Sequence, residues 1–249
     1  MHYSVRFDTV SFSYPDGTPA LRDISFSIKK NDRVALFGTN GSGKSTLFLA
    51  MLGFLSPHTG SIYIDDIELD KPSLQEIRTK IGLVFQNPDD QLFCPTIYDD
   101  VEFGPINFGM DQDTREPIVE STLRDIDLWH LRSKAPHHLS WGEKRRAALA
   151  TVLAMRPEIL LLDEPTAYLD PPSIRDLYRL LLRYSGTIIL ATHDPEFAGA
   201  LCNKALVMMD GEIGFYGDIR ALLTDSEAIE SFNLHTGFGD SQDDEIIAK

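Results

Sequence analysis

Gly38-Thr39-Asn40-Gly41-Ser42-Gly43-Lys44-Ser45 is the stretch that decides the fold of this chain. It fits the pattern G-x-x-x-x-G-K-[ST] at every position. Its glycines let backbone N–H groups turn inward around phosphate oxygens with no Cβ in the way. The residues before it, Arg33-Val34-Ala35-Leu36-Phe37, are a continuous apolar run of strand length, and residues 45–52 carry a helical pattern. Strand, glycine loop and helix in that order open an α/β domain. The helix presents the positive end of its dipole to the loop. Lys44 is expected to reach the β- and γ-phosphates of a nucleotide, and Ser45 to offer its hydroxyl to Mg²⁺.

Upstream of the loop, Val5, Phe7 and Val10 to Phe12, then Ile24, Phe26 and Ile28, alternate with polar residues as half-buried strands do, with Pro15-Asp16-Gly17 as the turn between them. Downstream, residues 81–85 form a further buried strand, closed by Gln86-Asn87-Pro88-Asp89-Asp90. The pattern then turns helical to about residue 156, with apolar residues at helical spacing over 118–131 and 147–155. Strands return at 159–162 and 187–191. Between them, Pro171-Pro172 opens a helix to Tyr184, with Gly186 at its C-terminal cap. Asp210-Gly211 between two apolar runs predicts a hairpin. A helical insertion thus interrupts an α/β core, and the polar, acidic tail is expected to be disordered.

Two more stretches carry chemistry. Leu160-Leu161-Leu162-Asp163-Glu164 ends a buried strand in two acids, and a parallel sheet delivers such residues to its ligand crevice. Asp163 would bind Mg²⁺, and Glu164 would act as general base on the attacking water or position it. In Leu139-Ser140-Trp141-Gly142-Glu143, Ser140 and Glu143 have the spacing of a capping box opening a helix from Lys144. The first N–H groups of that helix make a second anion site. One phosphate loop already serves the chain, so a second site points to the nucleotide of a neighbouring copy, held between two subunits.

The 249 residues are 43% hydrophobic and 24% charged, an ordinary globular composition. No apolar run approaches the roughly 18 residues of a membrane helix, and the first residues have no basic-then-apolar secretory pattern. Cys94 and Cys202 stand far apart, which fits a reducing compartment. With 38 acidic against 23 basic residues the net charge is −15, which disfavours a nucleic-acid partner; Arg145-Arg146 is one small candidate basic patch. The six histidines other than His193, His137-His138 included, show no metal-ligand spacing and are expected at the surface.

With these motifs in order, the chain resembles an ATP-binding-cassette (ABC) ATPase over about residues 4–225. The resemblance implies a RecA-like P-loop NTPase core with an N-terminal antiparallel β subdomain and an inserted α-helical subdomain. It divides the chain into an ATPase domain over 1–235, with core 1–89 and 157–235 and helical insertion 90–156, and an acidic tail over 236–249. It implies ATP and Mg²⁺ as cofactors. Tyr14 would stack on adenine, while Gly38, Asn40, Gly41, Ser42, Gly43, Lys44, Ser45 and Thr46 would hold the phosphates. Ser140 and Gly142 would contact the γ-phosphate held by a second copy, with Trp141 where a glycine is usual. Gln86 would touch Mg²⁺, alongside Ser45 and Asp163, and sense the membrane partner. His193, in Ala191-Thr192-His193-Asp194, would hold the γ-phosphate. Ala167-Tyr168-Leu169-Asp170 would cross the dimer interface.

A finer resemblance, to the ATPases of energy-coupling-factor importers, lies in Gly82-Leu83-Val84-Phe85-Gln86-Asn87-Pro88-Asp89-Asp90-Gln91-Leu92-Phe93, Asp100-Val101-Glu102-Phe103-Gly104-Pro105 and Gly142-Glu143-Lys144-Arg145-Arg146. It implies a peripheral subunit on the cytoplasmic face of the cell membrane, bound to integral membrane subunits. There it would pair with a second copy of itself or with a paralogous ATPase, and power uptake of cobalt or nickel. Vitamin uptake, another transporter class, a soluble ABC ATPase and a P-loop kinase are the alternatives. Concentration-dependent activity would separate a sandwich dimer from a monomeric kinase.

Overall fold

The computed structural model describes residues 2–234, so the acidic tail over 236–249 lies outside the described residues. Ten strands form two sheets. β1 (Tyr3–Ser13) and β2 (Pro19–Lys29) pair antiparallel, and β4 (Thr59–Ile64) and β5 (Ile67–Glu68) extend them into a four-stranded sheet of order β2-β1-β4-β5. The second sheet joins β3 (Arg33–Phe37), β6 (Ile81–Val84), β7 (Ile159–Asp163), β8 (Thr187–Ala191), β9 (Lys204–Met209) and β10 (Glu212–Asp218) in the order β10-β9-β3-β8-β7-β6. β9, β3, β8, β7 and β6 run parallel, and only edge strand β10 is antiparallel.

The central strands β3, β7 and β8 are apolar except at an end residue, Arg33, Asp163 and Thr187, because both faces of this sheet are covered. The pleat sends alternate residues of β3 into two cores. Val34 and Leu36 face the antiparallel sheet, with Phe7, Ile24 and Phe48. Ala35 and Phe37 face the helices, with Val101, Leu149 and Leu177. Asp210 and Gly211, at φ 48° and 82°, make the β9–β10 turn with the positive φ angles the dipeptide predicts.

The helices are α1 (Lys44–Met51), α2 (Leu74–Lys80), α3 (Ile97–Asn107), α4 (Gln112–Asp125), α5 (Trp141–Leu153), α6 (Pro171–Arg183), α7 (Pro195–Leu201), α8 (Ile219–Thr224) and α9 (Ser226–Ser231). α3, α4 and α5 all fall between β6 and β7 in the chain.

Three expectations need correction. The helix expected over 118–131 is α4, which starts six residues earlier and ends at Asp125. Asp111 caps it by accepting the Thr114 N–H at 2.9 Å. Its first turns are polar and exposed, so apolar periodicity does not register them, and Pro117 sits inside the helix on that exposed side. Gly186 does not cap α6, whose cap residue Tyr184 is extended. A Cβ at Gly186 would lie 2.5 Å from Glu158 O and 2.7 Å from the Tyr184 hydroxyl, so close packing accounts for that glycine. Arg145-Arg146 is no surface patch: Arg145 is 2% exposed and Arg146 is half-buried.

Candidate functional site

The C-terminal ends of β3, β7 and β8 open onto one cavity of about 570 Å³. The parallel sheet brings there Asn40, Gly41, Gly43, Lys44, Ser45 and Thr46 after β3, Gln86 after β6, Asp163 and Glu164 from β7, and His193 after β8. The antiparallel sheet supplies Tyr14 and Thr18 from the β1–β2 turn, and Pro19 and Ala20 from the start of β2. Tyr14 hydrogen-bonds through its hydroxyl to Thr46 Oγ1 at 3.0 Å.

The phosphate loop takes its shape from glycine. Gly38, Gly41 and Gly43 have φ of 146°, 83° and 108°. Gly43 is also the N-cap of α1 and makes no side-chain cap, so the first N–H groups of that helix are left for an anion. Gly38 and Ser42 do not line the cavity but support the loop. Gly38 O accepts from Lys44 Nζ at 2.6 Å, Ser42 N donates to Thr39 O at 3.2 Å, and the buried Ser42 Oγ has no partner. Thr39 O takes a second bond from Lys44 Nζ at 3.1 Å.

The electrostatics of the cavity are those of charges drawn out of water. Burial pushes the Lys44 ammonium below its ordinary pKa, with Glu164 and Asp163 pulling the other way. Burial raises Asp163 and Glu164 above the carboxylate range. Lys44 and Arg145 oppose the rise at Asp163; the His193 backbone N–H, then Lys44, oppose it at Glu164. His193 is held below the usual imidazole value by burial and by Lys44.

Glu164 has φ 43°, an uncommon angle for a residue with a side chain. Its N–H donates to Ala191 O at 2.9 Å, and its Oε2 accepts the His193 N–H at 3.2 Å. Oε1 is buried without a hydrogen bond, His193 Nε2 standing 3.5 Å away. A carboxylate with one oriented and one free oxygen can take a proton from a water beside it. Ser45, Gln86 and Asp163 line the same cavity, and their hydroxyl, amide carbonyl and carboxylate are hard oxygen donors of the kind that suits Mg²⁺.

Ser140 and Gly142 are not brought to this cavity. They sit at the N-terminus of α5, where the capping box forms in full: Ser140 N donates to Glu143 Oε2 at 2.7 Å, and Glu143 N donates to Ser140 Oγ at 3.4 Å. Trp141 turns toward the loop after β7, its indole N–H donating to Ala167 O at 3.3 Å and its ring meeting Tyr168 edge-on at 5.7 Å.

Sequence reasoning missed Arg145 and Gln91 as parts of this site. Arg145 donates from Nη1 to Phe85 O at 2.6 Å and from Nη2 to Glu164 O at 2.8 Å. Burial lowers its pKa to about 10, with Asp163 and Glu164 opposing. Gln91 fastens the Gln86 loop to α5 by accepting from Phe85 N at 3.1 Å and donating to Ala148 O at 2.9 Å. The alanines that follow Arg145, Ala147-Ala148 and Ala150, mark a closely packed helix face and were the one available signal.

A phosphate loop, a strand-end acid pair and a buried base candidate in one crevice define a nucleoside-triphosphate hydrolase of the P-loop class. A family model described as "ABC transporter" matches residues 21–167. The chain is 45% identical over 230 residues to the energy-coupling factor transporter ATP-binding protein EcfA of Methanothermobacter thermautotrophicus, covering 90% of this chain and 74% of that one. It is 45% identical over 237 residues to EcfA of Methanocaldococcus jannaschii, covering 93% and 85%. Among solved structures, cbiO1 from Clostridium perfringens, described as part of the ABC transporter complex cbiONQ, aligns with a TM-score of 0.83 at 37% identity over 94% of this chain and 96% of that one. The ATP-binding cassette MJ0796, a dimer bound to ADP and Pi, aligns with a TM-score of 0.77 at 30% identity over 87% and 99%. The chain belongs to the ATP-binding subunits of ABC transporters. It is an ATPase.

Proposed function

We propose that this chain is the motor of an energy-coupling-factor-type importer that takes up a transition-metal ion, cobalt or nickel. The observation that carries the reading is its likeness, over nearly the full length of both chains, to cbiO1 of the cbiONQ transporter complex. The two EcfA relatives point to the same importer class. The motif around Gln86-Asn87-Pro88 supports the importer class, whose members take up vitamins or transition metals.

In this reading residues 1–89 and 157–235 form the catalytic core, and residues 90–156 the helical subdomain. No helix among the described residues is long and apolar enough to cross a membrane, so a separate integral membrane subunit would form the path. Phe85, Phe93, Phe103, Ile106 and Phe108 are exposed large apolar residues of the Gln86 segment and α3, with the Phe93 and Phe103 rings edge-on at 5.0 Å, and they would suit a helix of that subunit. The chain would then work at the cytoplasmic face of the membrane.

Two copies, or one copy and a paralogue, would sandwich two ATP molecules. The dimeric MJ0796 neighbour supports that arrangement, and so does the position of Ser140 and Gly142 away from their own chain's cavity. Tyr14 would stack on the adenine, and the loop N–H groups, Lys44 and Thr46 would grip the phosphates. Ser45, Gln86 and Asp163 would hold Mg²⁺, which when bound supplies charge neutralisation at the β- and γ-phosphates. Glu164 would accept the proton of the attacking water, and His193 would fix the γ-phosphate end of the site. Binding would close the dimer and hydrolysis reopen it.

Cobalt and nickel uptake in cells lacking the gene, complemented with wild type or Glu164→Gln, tests the reading. Restored uptake by wild type alone supports it. If neither metal responds, the metal assignment falls and vitamins become the substrates to test.

A further inference from the structure

β6 and β7 pair in parallel up to Val84 and Leu162. Just past that point the ladder stops, and the two chains separate toward Gln86 and Glu164. The carbonyls at the start of each departure, Phe85 O and Glu164 O, are joined by one guanidinium. Arg145 donates Nη1 to the first at 2.6 Å and Nη2 to the second at 2.8 Å.

Arg145 is the largest of the fully buried side chains among the described residues, and its Nε is left without a hydrogen bond. It makes no ion pair within salt-bridge distance among the described residues. An apolar side chain would fill such a position at lower desolvation cost. An apolar residue supplies no donor at all, and a lysine supplies donors on one nitrogen without the rigid planar fork.

The Glu164 backbone is held from three directions. Its N–H is bonded to Ala191 O on β8, and its carbonyl accepts from Ala167 N at 3.1 Å as well as from Arg145. One turn before Arg145 on the same face of α5, the Trp141 indole holds the other end of the turn through Ala167 O. The Gln86 loop, in contrast, is tied mainly to α5, through Gln91 and through Lys144 to Asp89 at 2.6 Å.

We infer that Arg145 is a positioning residue that links the Gln86 loop to the Glu164 turn. Movement of the Gln86 loop then shifts the Glu164 backbone, and with it the carboxylate, through one shared guanidinium. Through this link, a contact at the Gln86 loop sets the rate of hydrolysis without altering the nucleotide's grip on Lys44 and the phosphate loop. The inference rests on Glu164 being the base. An active Glu164→Gln overturns that assignment alone and leaves the link to be judged on Arg145.

The decisive variant is Arg145→Lys, which keeps the charge but loses the planar fork of two nitrogens. Its kcat is expected to fall at least about tenfold while nucleotide Kd stays within about threefold. Arg145→Met, which keeps the volume, should lose turnover to the same extent. A kcat within about twofold of wild type in Arg145→Lys overturns the inference. So does a loss of affinity in parallel with kcat, which a merely structural role would produce. Should both variants fail to fold, NMR of the wild-type guanidinium decides. Resolved, slowly exchanging Nη hydrogens that shift in Gln86→Ala support the link, and a freely rotating, rapidly exchanging group overturns it.

Discussion

Gly38 and Gly41 belong to the same loop and both have positive φ, yet alanine should affect them in different ways. At Gly41, with φ 83°, a Cβ meets nothing within 4 Å. The cost there is the left-handed backbone alone, about 1–2 kcal/mol. Reduced freedom of the unfolded chain offsets about 0.4–1 kcal/mol of it. At Gly38, with φ 146°, the Cβ would stand 2.5 Å from Met208 O and 2.5 Å from Ser42 Oγ. Met208 O is backbone of β9 and cannot step aside. Strained backbone at about 1–3 kcal/mol and overpacking at about 1–3 kcal/mol, less the same unfolded-chain offset, put Gly38→Ala at about 1–5.6 kcal/mol. Gly41→Ala should come to no more than about 1.5 kcal/mol. Nucleotide affinity should respond in the opposite order. Gly41 lines the cavity, so its methyl would intrude where phosphate oxygens approach and weaken ATP binding by about tenfold or more. Urea unfolding followed by the emission of Trp129 and Trp141, with ATP titration of each folded variant, reads both effects. Equal destabilisation by the two substitutions, or a Gly38→Ala cost below about 1 kcal/mol, would refute this account of the loop.

Lys44→Ala should weaken nucleotide binding itself, because Lys44 Nζ is the buried cation beside the loop carbonyls; unaltered ATP affinity would count against the phosphate-loop reading. The pH dependence has a definite sign. Glu164 must be ionised to act as base, and burial raises its pKa, so turnover should be lost as pH falls through a value above the ordinary glutamate range. An acid limb of kcat at or below that range would contradict the burial of this carboxylate.

The parts legible in the sequence are those where a single residue pattern carries the physics. The runs Arg33-Val34-Ala35-Leu36-Phe37 and Leu160-Leu161-Leu162-Asp163 read as strands because both faces are buried, and the glycine loop between strand and helix has few other uses. Asp210-Gly211 announced its turn through backbone preference alone. Failures came where tertiary contacts decide. The polar start of α4 bears no apolar stripe, and Pro117 reads as a breaker although it lies on an exposed face. β4, β5 and α2 were not anticipated, since their short runs between residues 54 and 80 carry no decisive period. Arg145 is the instructive case. By composition it is half of a basic dipeptide, and nothing local tells that its guanidinium is buried between two backbone carbonyls 79 positions apart in the chain, at Phe85 and Glu164.

The central claim is that this ATPase works between two chains, with Glu164 as the base. Light scattering of Glu164→Gln with Mg-ATP, alongside steady-state hydrolysis, tests both halves at once. The account predicts a chain that binds ATP, accumulates as a dimer and does not turn over. A variant that stays monomeric with ATP bound, or hydrolyses at the wild-type rate, would contradict it.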